Sequence, residues 1–401
     1  MRLVHLSDLH LGFRQYQRLT PGGINQREAD VAGAFKRALD LTVSLKPDIV
    51  LLAGDIFHTV RPTNPAILHA FQQFARLRQE LPDAAIIMAA GNHDIPKTAE
   101  TGCILRLFSP LGIHVADRKA ELFDDFGQLD LSVLAVPGDP ALSDTTEFNH
   151  NGSKRYNILL SHLLLPEVKP HYLGSSDRAS LEIRKEDLNA SKWSYIALGH
   201  YHVHHQIAPN AFYGGSIEYT SSNPWGELDE EHDRGLPGKG IVEFDLDTGE
   251  YRFHHVPPAR QHIDLPFIAA AALSAKEIDE KIRQCVDDCA GIDDQVVRLV
   301  IRDLPRHIMR ELDPKALREF RRRALHFHLD TRRPEILRTA AHGAPGRRPS
   351  LAEMVREKLQ SRMLSSDIDR EALVALALHY LQEVERDESR LAESVLADGL
   401  S

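Results

Sequence analysis

The chain has 401 residues, 42% of them hydrophobic, which is enough for two domains with sizeable cores. A formal net charge of −10 argues at first sight against a nucleic-acid partner, and three cysteines (Cys103, Cys285, Cys289) argue against a disulfide framework. No apolar run reaches the roughly 20 residues needed to cross a bilayer, and a strand begins directly after Met1-Arg2, so no leader, no membrane and a reduced, cytoplasmic setting are expected.

In chain order, five short apolar runs read as buried strands: Leu3 to Leu6, Ile49 to Leu52, Ile86 to Ala90, Ile158 to Leu160 and Ile196 to Leu198. They are aliphatic or β-branched and close on Gly or a polar residue. Each leads into a segment bearing Asp, His or Asn: Asp8-Leu9-His10, Gly54-Asp55, Gly91-Asn92-His93-Asp94, Ser161-His162 and Gly199-His200-Tyr201-His202. Catalytic groups gather at strand ends in α/β sheets, so five strand tips are expected to converge on one cleft.

Together these residues supply ligands for two metal ions. Such a pair sits about 3.5–4 Å apart and acts on both the attacking and leaving oxygens of a phosphoester. Ions that close repel each other, and a bridging carboxylate relieves the repulsion; Asp55, after an apolar strand and a Gly, is the natural bridge. Imidazole, carboxylate and amide donors without thiolate suit Mn or Fe better than Ca or a structural Zn. Each motif alone has a plainer reading: Asp-x-His as a helix cap, Gly-Asn-His-Asp as a turn, His162 as a core histidine, and His58, beside Arg61, as a loop residue. The ordered set overrides them. His204 and His205 continue past the last motif and read as structural.

The ordered motifs resemble the calcineurin-like metallophosphoesterases. The text around them (HLSDLHLG, GDIFHTVRPTNP, GNHD, ALGHYHVHHQ and YGGSIEYTS) is similar to the SbcD-type DNA repair exonucleases, relatives of the meiotic-recombination nuclease. The resemblance covers residues 1–260 well and the remainder loosely. It implies one ion held by Asp8, His10, Asp55 and His202, and a second held by Asp55, Asn92, His162 and His200. The ions would be Mn, with Mg or Fe as alternatives. It implies further that His93 acts on the scissile phosphate without binding metal, that Asp94 orients the His93 ring and raises its pKa, and that His58 contacts a substrate phosphate. Residues 221–235, with Ser221 to Trp225 and an acidic stretch from Glu227 to Asp233, depart from the pattern and read as a lengthened loop.

After residue 260 the composition shifts. Between Arg298 and Arg338 stand 12 Lys or Arg against 6 Asp or Glu, a local +6 inside an acidic chain, with Arg321, Arg322 and Arg323 at its centre as candidate DNA contacts. Ser274-x-x-Glu277 is a capping box opening a helix, Val296 to Ile301 reads as a strand, Asp313-Pro314 caps a helix ending in the Arg run, and Leu325 to Leu329 alternates as a strand. Gly343 to Pro349 reads as a linker. Two helices follow, with Leu351, Met354, Val355, Leu359 and Met363 on one and Leu373, Leu376, Tyr380, Leu381 and Val384 on the other, separated by Ser365-Ser366-Asp367.

The expected architecture is an α/β (α+β) four-layer sandwich with two central β-sheets flanked by helices, a small α/β cap and a C-terminal helical pair. The boundaries are 1–260 for the nuclease domain, 261–342 for a DNA-binding cap, 343–350 for a linker and 351–401 for the pair. By resemblance the pair binds an SbcC-type SMC-like ATPase; docking back on this chain is the alternative. A homodimer is also implied, with Leu68, Phe71, Phe74 and Leu77 as its stripe, unless that stripe is ordinary core. The expected activity is two-metal hydrolysis of DNA, as an exonuclease on duplex ends and an endonuclease on single strands in double-strand break repair. The alternatives are a phosphodiesterase or phosphatase on small-molecule or protein substrates, and a DNA-end-binding tether.

Overall fold

A computed structural model describes residues 1–98, 102–143, 148, 154–168, 170, 180–334, 351–361 and 369–381. They divide into two compact units, 1–334 and 335–401.

The first unit is built on two mixed sheets. One contains β1 (Arg2–Leu6), β2 (Ile49–Ala53), β3 (Ala85–Ala89) and β4 (His114–Ala116), all parallel. The helices α1 (Gln26–Leu45) and α2 (Asn64–Glu80) make the crossovers from β1 to β2 and from β2 to β3. The second sheet has β5 (Glu121–Phe123), β6 (Leu131–Val136), β7 (Tyr156–Leu164), β8 (Leu181–Glu182), β9 (Tyr195–Gly199), β10 (His205–Ala208) and β11 (Ala211–Tyr213), with β6, β7, β9 and β11 parallel at its centre. The chain then returns through α3 (Pro224–Asp233) to add β12 (Gly240–Asp245) and β13 (Tyr251–His255), antiparallel, beside β1.

The continuous apolar runs follow from burial on both faces. In β2, Ile49, Leu51 and Ala53 point at the second sheet, while Val50 and Leu52 join Phe35, Leu39 and Phe74 under α1 and α2. The far face of the second sheet carries no α-helix among the described residues. There Leu159, Leu163, Ile196 and Leu198 are covered by Leu188 and Trp193, which lie in and beside short 3₁₀ turns at Lys185–Leu188 and Ala190–Lys192. Among the described residues, α1 and α2 cover the first sheet.

Residues 262–331 form a third, parallel sheet of β14 (His262–Ala269), β15 (Val296–Arg302) and β16 (His326–Thr331). It is backed by α4 (Ala275–Asp287), α5 (Arg306–Glu311) and α6 (Pro314–Arg323). The Ser274–Glu277 capping box is present, and Asp313 caps α6. This sheet seats on the body through Trp225, Val296 and Leu325, with the Arg298 guanidinium 4.9 Å over the Trp225 ring and Tyr16 stacked on His326 at 4.0 Å. Arg260 reaches back to Asp30 at 3.0 Å.

His262 is buried at this seat between Tyr219 and Trp225, and neither ring nitrogen has a hydrogen-bond partner. Burial holds its pKa well below the usual histidine range. The unfolded chain therefore binds a proton near pH 6.5 that the folded chain refuses. Stability is full above that value and falls by roughly 1.4 kcal/mol per pH unit below it. His262→Phe keeps the packing without the penalty, so its advantage in melting temperature over the wild type should widen between pH 7.5 and 5.5; parallel curves would remove this account.

In the second unit, α7 (Leu351–Ser361) and α8 (370–381) are described. The Arg370 side chain donates to the Leu359 and Gln360 carbonyls at 2.6 and 2.9 Å, satisfying the open end of α7. Met354, Leu376 and Tyr380 are exposed. The expected linker, the Ser365–Asp367 break, Met363 and Val384 lie outside the described residues.

Candidate metal centre

The carboxyl ends of β1, β2, β3 and β9 deliver their segments to one pocket of about 250 Å³, lined among others by His10, Asp55, His58, Asn92, His93, His200 and His202. The fifth segment differs from expectation. His162 lies inside β7, which overshoots its neighbours, and its register partner Gly199 is the last residue of β9. His162 thus reaches the cluster from within a strand.

Asp8, His10, Asp55 and His200 all have positive φ (51°, 45°, 51° and 102°), a region that costs non-glycine residues of order 1–3 kcal/mol each. The backbone bends sharply there to aim adjacent side chains inward. Gly91 is needed for the same closeness, since a Cβ on it would collide with the Asp55 carboxylate.

The donor atoms face one another at short distances. His162 Nδ1–H donates to the Ala53 carbonyl at 2.9 Å, which leaves a lone pair on Nε2. That lone pair points at Asn92 Oδ1, 3.0 Å away, and at Asp55 Oδ2, 3.5 Å away. His10 Nε2 stands 3.1 Å from His202 Nε2 and 3.7 Å from the same Asp55 oxygen. His200 Nε2 is buried without a hydrogen-bond partner. Asp8, His10 and His202 form one tight group of donor atoms, and Asp8, Asp55 and His162 another. Lone pairs converging in a buried space repel unless a cation lies among them, so this donor set fits divalent metal. Burial and neighbouring imidazoles keep His10 well below its usual pKa and push His200 down to about 3, so both are in the neutral form that ligates. Burial alone would raise Asp55, but His162 and His93 outweigh it and lower its pKa. Burial raises that of Asp8.

His93 and His58 stack at 5.3 Å on the pocket wall, and His58 Nδ1 is 3.4 Å from His10 Nδ1. The expected link from Asp94 to the His93 ring is not made. His93 Nδ1 bonds the His58 carbonyl at 2.7 Å, and its amide bonds Asp55 Oδ1 at 2.9 Å. Asp94 is wholly buried and accepts the amides of Ile56, Phe57 and Gly91 at 2.9–3.0 Å. It braces the turn that carries Asp55. Burial and the nearby Asp55 carboxylate push its pKa up to about 7.

The basic run makes ion pairs at its surface. Arg322 pairs with Glu319 at 2.8 Å and Arg323 with Asp293 at 2.9 Å, while Arg321 has no carboxylate partner among the described residues. None of the three lines the pocket. Residues 224–233 are not loop but the helix α3, opened by Asn223. Asn-Pro was a legible start signal there. Phe13, Arg14 and Gln15 line the pocket with no motif to flag them, and Thr220 to Ser222 join them from the end of the YGGSIEYTS stretch. His204 is buried and bonded to the Tyr213 carbonyl, as its structural reading requires.

Two sheets packed face to face, with a ring of Asp, His and Asn donors at their strand ends, define an α/β sandwich whose site fits divalent metal. Residues 1–204 match the calcineurin-like phosphoesterase family, and the chain belongs to it. Its relatives include DNA double-strand break repair proteins Mre11. That of Methanocaldococcus jannaschii is 28% identical over 263 residues, 62% of this chain and 65% of the relative. That of Sulfolobus acidocaldarius is 37% identical over 248 residues, 61% of this chain and 60% of the relative. That of Sulfurisphaera tokodaii is 25% identical over 289 residues, 71% and 68%. The chain thus spans a little under two thirds of the first of these relatives. Among the described residues no helix is long and apolar enough to cross a membrane.

Proposed function

We propose that this protein is a two-metal DNA phosphodiesterase, exonucleolytic on duplex ends and endonucleolytic on single strands, acting in double-strand break repair. The observation that carries the metal reading is the Asp55 carboxylate. Its Oδ2 lies between His10 Nε2 at 3.7 Å and His162 Nε2 at 3.5 Å, and these belong to two different ligand groups. One ion would take Asp8, His10, Asp55 and His202, the other Asp55, Asn92, His162 and His200. When bound, two such ions, Mn foremost, would supply the Lewis acidity that a phosphodiester's developing charge requires. His93 Nδ1 is held by the His58 carbonyl, so its Nε2 is the atom that passes a proton to the leaving oxygen. His58 beside it faces a substrate phosphate.

The choice of DNA over a smaller phosphoester is supported by the relatives' role in break repair and by the basic module seated beside the body. Arg321, Arg322 and Arg323 are the candidate contacts of that run, since the exposed pairs that Arg322 and Arg323 make are weak. In this reading 261–342 caps a DNA groove, 343–350 is a tether, and the helices beyond it grip the coiled coil of an SbcC-type SMC-like ATPase through their exposed apolar positions, in the cytoplasm. Leu68 (62% exposed) and Phe71 (36%) would pair two copies, while Phe74 and Leu77 of the same helix are fully buried core.

The test is cleavage of labelled duplex, hairpin and single-stranded DNA in Mn or Mg, using the full chain and a chain ending at Gly343. The truncated chain should keep metal-dependent cleavage of a short single strand and lose ATPase binding. Loss of that cleavage refutes the partner reading, and hydrolysis of small phosphoesters without cleavage of DNA refutes the nuclease. Sedimentation of the same preparation reads the dimer; a monomer at micromolar concentration removes it.

A further inference from the structure

Behind His202, outside the pocket, lies a cluster that the ligand set does not account for. Glu227 and Glu231 project from α3, and Lys239 precedes β12; all three side chains are at most 5% exposed. Lys239 Nζ pairs with Glu227, pairs with Glu231 Oε1 at 2.8 Å, and donates to the His202 carbonyl at 3.0 Å. Glu231 also accepts the Tyr219 hydroxyl at 2.6 Å, and Glu230 is spoken for by Arg234 at 2.7 Å. Two buried carboxylates against one ammonium leave one negative charge over. Glu227 Oε1, with no hydrogen-bond partner in the cluster, sits 3.5 Å from His202 Nδ1. Burying an uncompensated carboxylate is costly, so the surplus must answer positive charge that reaches it through the His202 ring.

We infer that Glu227 is a positioning residue for the metal centre: it accepts a hydrogen bond from His202 Nδ1–H, fixes that tautomer and aims Nε2 at His10, while Lys239 holds the His202 backbone from behind. The inference rests on the two-metal reading and assigns the clamp to one ion only. His202 Nε2 lies 3.1 Å from His10 Nε2. His162, on the other ion, has its Nδ1–H fixed by the Ala53 carbonyl instead. An outer carboxylate of this kind restricts ring rotation and raises the basicity of the ligating nitrogen. Its position in sequence, 25 residues past His202 on a separate helix, hides it from any motif.

The test is calorimetric titration of Mn²⁺ into the full chain and into Glu227→Gln. The variant leaves Lys239 paired with Glu231, a neutral buried couple, so the fold is preserved. One of two binding events should weaken ~10–100-fold and the other stay unchanged. Two events of wild-type affinity overturn the clamp, as does equal weakening of both with an unchanged melting curve. A wild-type chain that binds no pair of ions instead overturns the two-metal reading itself. Independently of any variant, ring ¹⁵N resonances of the Zn²⁺-loaded wild type should show His202 protonated at Nδ1 and metal-bound at Nε2. The reverse assignment refutes the clamp even if the variant does not fold.

Discussion

Asp55→Asn should strip both ions from the protein at once. Its Oδ2 faces His10 and His162, which belong to the two separate ligand groups, and its Oδ1 accepts the His93 amide. The substitution keeps the volume and one oxygen but removes the charge that offsets two neighbouring dications. Altering an outer partner of a ligand typically weakens metal binding ~10–100-fold, so loss of a shared ligand should cost at least ~100-fold at both sites. His202→Ala, touching one group, should empty one. Elemental analysis after dialysis reads the difference; an Asp55→Asn protein with two ions and full activity would sink the bridge.

His93→Ala should retain both ions and bind DNA, yet cleave it about 10²–10⁴-fold more slowly, the usual weight of proton transfer to a leaving group. Loss of metal in that variant would make His93 a ligand. The structure adds a contrast. The ring is held by a backbone carbonyl, so no Asp94 variant should mimic His93→Ala through the ring. Asp94→Ala should act on stability instead, because it orphans three buried amides at about 1–3 kcal/mol each. A melting temperature unchanged in Asp94→Ala would contradict that bracing role.

Much of the body was legible from local chemistry. A strand buried on both faces is mostly apolar, so β1, β2, β3 and β9 stand out, and the polar residues at their ends are conspicuous by contrast. The capping box at Ser274 and the Asp313-Pro314 start are equally local signals, and both form as read. The donor types that make metal chemistry reasonable are likewise a property of the sequence.

Other features exist only once distant segments meet. His162 lies within its strand because β7 runs past its neighbours, a matter of sheet register that no run length encodes. The left-handed backbone at Asp8, His10, Asp55 and His200 is forced by packing, against each residue's own preference. Arg323 meets its ion-pair partner Asp293, 30 residues earlier, only when α6 docks on the third sheet. Asp94 follows His93 directly, yet its carboxylate turns to the amides of Ile56 and Phe57 in another segment and of Gly91 in its own. Glu227 shows the same most clearly: an acidic stretch that reads as solvated loop becomes a helix, and its buried charge meets Lys239 and His202 only in the folded chain. Residue type and spacing determine which chemistry the chain can perform, because they set local conformation and donor identity. Which atom faces which is decided by tertiary packing, because burial makes each charge and lone pair depend on partners far away in sequence.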